Sequence, residues 1–325
     1  MLWKVQQKPW GLRMGGSGGR TFGRRSPDEL RELVRKAEAE ISDNKFDGEL
    51  ARTLGELLAG FNARDVPLVR ERLDTLKAAL GEEIEGSFDQ FFGGSVAKHT
   101  YVDGFSDIDS LVLINDTELE GGKPRVVLQK MARILRSKLS PDVEISHGRM
   151  ALTIKYNDGM VVQVLPALEM SGNQLRVPSF IKPGWAKIDP VAFQKALTKR
   201  NEQCAGKLVP TIKLAKAIVR QFPPAQTLSG YHIESLAIAA FRGYTSEKTT
   251  RAMLPVFFER SRELILSPIR DRSGQSVHVD AYLGPANSEQ RQIASHILGR
   301  IARRMRNATA SASIDQWRAL FGIDE

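Results

Sequence analysis

The feature that most constrains this chain is a pair of aspartates at the mouth of an apolar strand. Ser106-Asp107-Ile108-Asp109-Ser110 runs directly into Leu111-Val112-Leu113-Ile114. Four apolar residues in a row read as a buried strand. Residues i and i+2 of a strand project to the same side, so Asp107 and Asp109 point together while Ile108 turns into the core. Two carboxylates side by side repel, and each resists ionising unless a cation sits between them. Magnesium suits such a place, being a hard cation that wants oxygen ligands. The fold must therefore bury this strand while leaving its first residues open. Asp-x-Asp alone is common in loops and caps; its entry into an apolar strand is what gives it weight.

The surrounding pattern is α+β. Ser26-Pro27-Asp28-Glu29 reads as a capping box with proline in the first turn, opening a helix with Leu30, Leu33, Val34, Ala37 and Ile41 on its stripe. Further helices are expected near 47–61 and 65–80. Strand-like runs then follow at Phe91-Phe92, Leu111 to Ile114, Val143 to Ser146, Ala151 to Tyr156 and Met160 to Leu165, with a helix opening at Pro124. Asn157-Asp158-Gly159 is a hairpin signal. These are antiparallel strands with flanking helices, not an alternating βαβ series. From about 185 the chain reads mainly helical, with main candidates at 208–222, 231–241, 251–266 and 288–306. In the last, Ile293, Ile297, Ile301 and Met305 form an apolar stripe decorated by Arg300, Arg303, Arg304 and Arg306. The organisation expected is a flexible basic tail at 1–25, N-terminal helices and a catalytic core at 26–184, and a helical domain at 185–325.

Composition narrows the class. The 325 residues carry a net charge of +9, from 47 basic and 38 acidic residues, which favours anionic partners without choosing among them. No apolar run reaches the roughly 20 residues a membrane span needs, and the N-terminus lacks a secretory pattern. A cytoplasmic protein without membrane insertion is expected. The single cysteine, Cys204, excludes a disulfide framework and a cysteine-based zinc site and reads as a small buried hydrophobe. The five histidines show no ligand pair.

Upstream of the aspartates stands Gly93-Gly94-Ser95-Val96-Ala97-Lys98-His99-Thr100. Glycines let backbone approach a ligand closely, and a helix starting near Ser95 aims free N–H groups at a phosphate. Ser95 adds a hydroxyl and Lys98 a positive charge. Gly94-Ser95 followed, after 11 residues, by Asp107-x-Asp109 resembles the motif of the polymerase-β nucleotidyltransferase superfamily. Within it the chain is most similar to bacterial CBASS-type oligonucleotide cyclases, relatives of cyclic GMP-AMP synthase and oligoadenylate synthase. The likeness spans roughly 88 to 305. It implies a polymerase-β-like core, a mixed sheet with flanking helices, joined to a helical C-terminal domain that binds nucleotide. It also implies two Mg2+ ions, with Mn2+ as a possible substitute, held by Asp107 and Asp109.

The third ligand of that family precedes a Pro-Ala by three residues. In Val161-Val162-Gln163-Val164-Leu165-Pro166-Ala167 that position is Gln163, not a carboxylate. One polar residue in an apolar strand is costly to bury without a partner, so Gln163 should face the site. A neutral amide cannot take a proton from a nucleophile. Three readings stay open: an enzyme that works with two aspartates, a glutamine standing in for a natural glutamate, or a pseudoenzyme that binds nucleotides. The resemblance further implies that Lys216, with Lys213 one turn away, binds triphosphate. Leu228-Ser229-Gly230-Tyr231-His232 resembles the segment that binds phosphate through serine and stacks a base on tyrosine, though Gly230 occupies the serine position and Ser229 stands one earlier. Tyr231 reads equally well as a core aromatic. The activity implied is template-independent synthesis of a cyclic or linear oligonucleotide signal from nucleotide triphosphates, read by a downstream effector protein in antiviral defence. The alternatives are an impaired nucleotide sensor and a transferase that modifies RNA or protein.

Overall fold

The computed structural model describes residues 27–61, 66–86, 89–92, 100, 108–171, 174–179, 183–223, 226–274 and 278–323. The chain falls into two compact units, Met1–Gly48 and Glu49–Glu325. Helix α1 spans Pro27–Gly60. The two helices expected at 30–41 and 47–61 are thus one, because nothing between them is proline and Gly48 alone costs a helix only about 1 kcal/mol. In the first unit α1 carries an exposed pair in which Arg35 donates to Glu32 at 3.3 Å.

The second unit holds the sheet. Helix α2 (Val66–Gly81) is followed by β1 (Asp89–Phe92) and β2 (Ile108–Leu113), then by α3 (Pro124–Lys138). Strands β3 (Glu144–His147), β4 (Leu152–Lys155) and β5 (Val161–Met170) come next, then β6 (Gln174–Pro178) and β7 (Trp185–Ile188). The spatial order is β1-β2-β5-β4-β3, with β6 joined to the far end of β5 and β7 to β6. Pairing is antiparallel throughout except between β2 and β5, which run parallel. The α+β reading with a mixed sheet holds, and this one parallel pair is what lines up the two strand mouths that matter.

One face of the sheet is covered by two helices. Leu73, Leu76 and Leu80 of α2 and Val127, Leu128, Met131 and Leu135 of α3 pack on Ile108, Val112, Ile154, Val162 and Val164. Alternation sends the next residues the other way, where Leu111, Ala167, Leu175 and Val177 form a smaller cluster. The Asp158-Gly159 turn closes β4 on β5 with Gly159 at φ +88°. Arg72 of α2 grips that turn, donating to both Asp158 oxygens at 3.0 and 2.8 Å and lying 3.9 Å over the Tyr156 ring.

The remainder is helical: α4 (Pro190–Gln203), α5 (Leu208–Arg220), α6 (Gly230–Ala240), α7 (Thr250–Leu264), α8 (Glu289–Ala310) and α9 (Ile314–Ala319). Helix α7 packs on α8. The stripe expected on α8 is displaced. Ile293 is 48% exposed, while Ala294, Ile297, Leu298, Ile301 and Met305 are buried. The reason lies in the first turn, where Arg291 rather than an apolar residue turns inward and is fully buried. Arg300, Arg303 and Arg304 stay on the exposed side, and Arg306 pairs with Glu259. Cys204 is buried and free, and burial pushes its thiol up in pKa. No described helix is long and apolar enough to cross a membrane.

Candidate nucleotidyl-transfer site

Parallel pairing of β2 with β5 sets Asp109 directly across from Gln163. Ile108 and Val162 are buried in the main core on the opposite face. Asp109 and Gln163 are both half-buried, so the polar pair opens where the strands begin. On its other side Gln163 lies across from Thr153 of β4. The carboxylate and the amide are therefore neighbours on one face of the sheet. Asp107, Gly94, Ser95 and Lys98 lie outside the described residues. Among the described residues no three His, Cys, Asp or Glu side chains gather as a metal cluster. What the pair offers is oxygen donors alone, a set that suits a hard cation and not zinc or copper.

The helical residues assigned to phosphate and base are placed unequally. Lys216 on α5 is only 7% exposed. Its ammonium donates to Glu234 Oε1 at 2.8 Å and to the Thr100 carbonyl at 2.9 Å. Thr100 Oγ1 in turn donates to the same Glu234 oxygen at 2.5 Å. Lys216 thus clamps the end of the glycine-motif segment onto the helical half. An ammonium has three donors, and among the described residues two are used. Lys213, one turn earlier on α5, is half-buried.

Gly230 has a physical reason to replace the expected serine. A Cβ there would stand 3.3 Å from Lys216 Cε and Nζ, so a side chain would press on the clamp. Ser229 is exposed, and its hydroxyl caps α6 by accepting from the His232 amide at 3.2 Å. Tyr231 is half-buried. Its ring packs on Phe193 at 4.6 Å, and its hydroxyl donates to Asp271 Oδ1 at 2.6 Å. Burial first, and then Asp271, push its pKa well up.

Beneath this segment lies a charged core that the sequence reading missed. Arg291 Nη1 donates to Asp280 Oδ2 at 2.7 Å, with both side chains fully buried. The same guanidinium reaches the carbonyls of Ile265 and Gly284 at 2.9 and 3.0 Å. Asp280 also accepts from the Ile269 amide at 3.0 Å. His232, also fully buried, sits 3.6 Å from Asp280 through Nε2 and shares a 2.8 Å hydrogen bond with the Tyr282 hydroxyl through Nδ1. Burial, chiefly, lowers its pKa to about 4. Glu234 had a visible signal, a carboxylate between Ile233 and Leu236 on an otherwise apolar helix. Asp280 and Arg291 had none.

Comparison with known proteins agrees with this architecture. Residues 59–201 match the model of the Second Messenger Oligonucleotide or Dinucleotide Synthetase domain. No curated protein sequence matches. Among solved structures, Escherichia coli MS115-1 CdnC with ATP aligns at TM-score 0.60 and 17% identity, over 80% of this chain and 91% of that one. Bradyrhizobium diazoefficiens CdnG with GTP aligns at 0.61 and 15%, over 84% and 96%. Vibrio cholerae DncV cyclic AMP-GMP synthase, bound to a linear intermediate, aligns at 0.61 and 10%, over 92% and 90%. At such identities these neighbours speak for the fold. Residues 59–201 thus resemble a second messenger oligonucleotide or dinucleotide synthetase domain, and the chain shares the fold of the bacterial synthases that align with it.

Proposed function

We propose that this chain is a template-independent nucleotidyltransferase that joins nucleotide triphosphates into a short cyclic or linear oligonucleotide signal, releasing pyrophosphate. The reading rests on one observation above the others: Asp109 lies beside Gln163 at the open mouth of the β2–β5 pair, inside the synthetase domain. Asp107 and Asp109 would hold magnesium, or manganese in its place. When bound there, the metal supplies a lower pKa for the attacking hydroxyl and charge to hold the triphosphate and the leaving pyrophosphate.

The chain's own residues do the rest. Asp109 brings negative charge to the strand mouth. Gln163 brings an amide, which orients by hydrogen bonds and takes no proton, so the proton of the attacking hydroxyl leaves to solvent or substrate phosphate. Gly94, Ser95 and Lys98 would cradle the phosphates from one side. From the other, the remaining N–H of Lys216, the exposed Ser229 hydroxyl and Lys213 face the same charge, while the Tyr231 ring offers a surface for a base. Residues 185–325 act in this reading as the nucleotide-binding helical half. The product passes to a downstream effector protein in the cytoplasm of a bacterium under viral attack.

A second reading has a specific residue behind it. Gln163 removes the third charge of the family pattern, which suits a nucleotide sensor that binds without turning over. The two part in one experiment. The chain and its Gln163→Glu and Gln163→Asp variants are incubated with magnesium and labelled nucleotide triphosphates, and products are resolved by mass. Product from the unaltered chain supports a two-aspartate enzyme. Product only with an acidic residue supports an enzyme disabled at one position. Nucleotide bound without product in all three supports the sensor.

A further inference from the structure

Where β6 and β7 meet the helical half, a cavity of about 780 Å3 opens, lined in part by Lys187, Arg242, Arg270 and Arg272. It lies away from Asp109. Its wall includes Gln174, which pairs with Met170, seven residues down β5 from Gln163. At about 3.3 Å per residue that is on the order of 23 Å along the strand.

Positive charge is in excess around this cavity: four cations stand against two carboxylates, Asp189 and Asp271, that also line it. Both carboxylates accept hydrogen bonds from neutral groups. Asp189 Oδ1 caps α4 by accepting from the Ala192 amide at 2.9 Å. Asp271 Oδ1 accepts from the Tyr231 hydroxyl at 2.6 Å and from the amide and hydroxyl of Ser273 at 2.8 and 2.7 Å. The guanidinium of Arg272 is half-buried and its pKa is lowered, first by burial and then by Arg242, with Arg200 adding to the repulsion. An excess of positive charge in a concave site lowers its energy by taking up an anion. Arginine forks present paired donors matched to phosphate oxygens. Ser273 and Gly274, the latter at φ +76°, bring a hydroxyl and open backbone to the same wall.

We infer that this cavity is a second anion site, which takes a multiply charged phosphate ligand: the phosphate chain of a nucleotide or of a short oligonucleotide. It adjoins the Asp271–Tyr231 contact, so a strand of linked nucleotides leaving the Tyr231 surface would reach it. The inference does not require the chain to be catalytically active.

The test uses the full chain in EDTA, so that metal-bridged binding at the aspartates is silent. Titrations by calorimetry compare inorganic tripolyphosphate, ATP and a 5′-phosphorylated linear triadenylate. The variants are Arg242→Gln, Arg242→Gln/Arg272→Gln, an exposed control Arg300→Gln/Arg304→Gln, and Asp109→Asn. Saturable binding of tripolyphosphate is expected, weakened about tenfold for each cavity arginine removed, steeply salt-dependent, and unchanged in the control and in Asp109→Asn. Arg242 is exposed, so its single variant keeps the test sound if the double variant folds poorly. Triadenylate binding tighter than tripolyphosphate supports an oligonucleotide as the natural ligand; equal binding supports a nucleotide's phosphates alone. No saturable binding of any probe, or equal binding by chain and Arg242→Gln, overturns the site. Binding lost in Asp109→Asn but kept in the cavity variants also overturns it, while leaving the proposed catalytic reading intact.

Discussion

The strand mouth and the core of the helical half both set charged groups in poorly solvated places, and they treat them in opposite ways. At the mouth, a single described carboxylate, Asp109, stands beside a neutral amide, and both remain half-open. In the helical half, Lys216 is matched to Glu234 and Arg291 to Asp280, with every one of these side chains nearly or fully buried. A buried ion pair does little for net stability, but breaking it by removing one member is expensive. A half-open carboxylate costs less to keep than a buried one. The contrast separates residues that hold the fold from those to which the proposed function gives a ligand. By its contacts with Glu234 and Thr100, Lys216 stands with the residues that hold the fold, and only the proposed function asks it to meet a triphosphate as well.

The largest expected effect tests the open side. Asp109→Asn keeps shape and removes charge. Loss of a metal-binding carboxylate takes several kcal/mol from the transition state, so product formation should fall roughly 10³-fold, since each 1.36 kcal/mol is tenfold. Rates of labelled product at saturating nucleotide measure this. Activity above a tenth of the original would remove Asp109 from the proposed machinery and erase the distinction.

The next effect belongs to the closed side. Asp280→Asn leaves Arg291 fully buried beside an amide instead of a carboxylate. Unfolding free energy should drop by about 3–5 kcal/mol, read from urea denaturation by circular dichroism. A drop below about 1 kcal/mol would mean that the carbonyls of Ile265 and Gly284 alone satisfy the guanidinium.

How much of this was readable beforehand follows from the range of each interaction. The β2 strand and the half-open placing of Asp109 and Gln163 were legible because each is a local pattern, a polar residue at the mouth of or within an apolar run, while Asp107 lies outside the described residues. The length of β5 was not. Pro166 reads as a breaker, yet it pairs with Val112 within the parallel ladder. Strands β6 and β7 escaped notice because Gln174–Pro178 and Trp185–Ile188 are only five and four residues long, too short to set up a clear period. The clamp was invisible in another way, since Lys216 bonds Thr100 from 116 residues away, and spacing carries no trace of such a partner. Asp280 and Arg291 look like ordinary surface charges in sequence; only the fold makes them internal.

His232 sharpens the comparison through pH. Its folded pKa, about 4, lies below its ordinary value of 6.5, burial being the main cause. The unfolded chain therefore binds a proton more readily between those values. Stability contributed by the neutral ring is complete above about 6.5 and is lost as pH falls towards 4. Between pH 7 and pH 5 the expected loss is about 2 kcal/mol. Urea midpoints at the two pH values measure it, and His232→Gln should flatten the dependence. An unchanged slope in that variant would show that the acid response comes from elsewhere in the network.

The smallest effect is the most discriminating, because Tyr231 touches both regimes. Its hydroxyl is bound inward to Asp271, as a structural residue would be, and its ring packs on Phe193 while staying half-open. Tyr231→Phe removes one hydrogen bond and leaves Asp271 with its two Ser273 donors. Stability should fall by only about 1 kcal/mol, and KM for nucleotide should stay the same, since phenylalanine offers a similar ring face. Tyr231→Leu removes the face and should raise KM several-fold at constant kcat, the mark of lost ground-state binding. If instead both variants lose stability alike and neither moves KM, Tyr231 is a core aromatic, and the base is held elsewhere in the helical half.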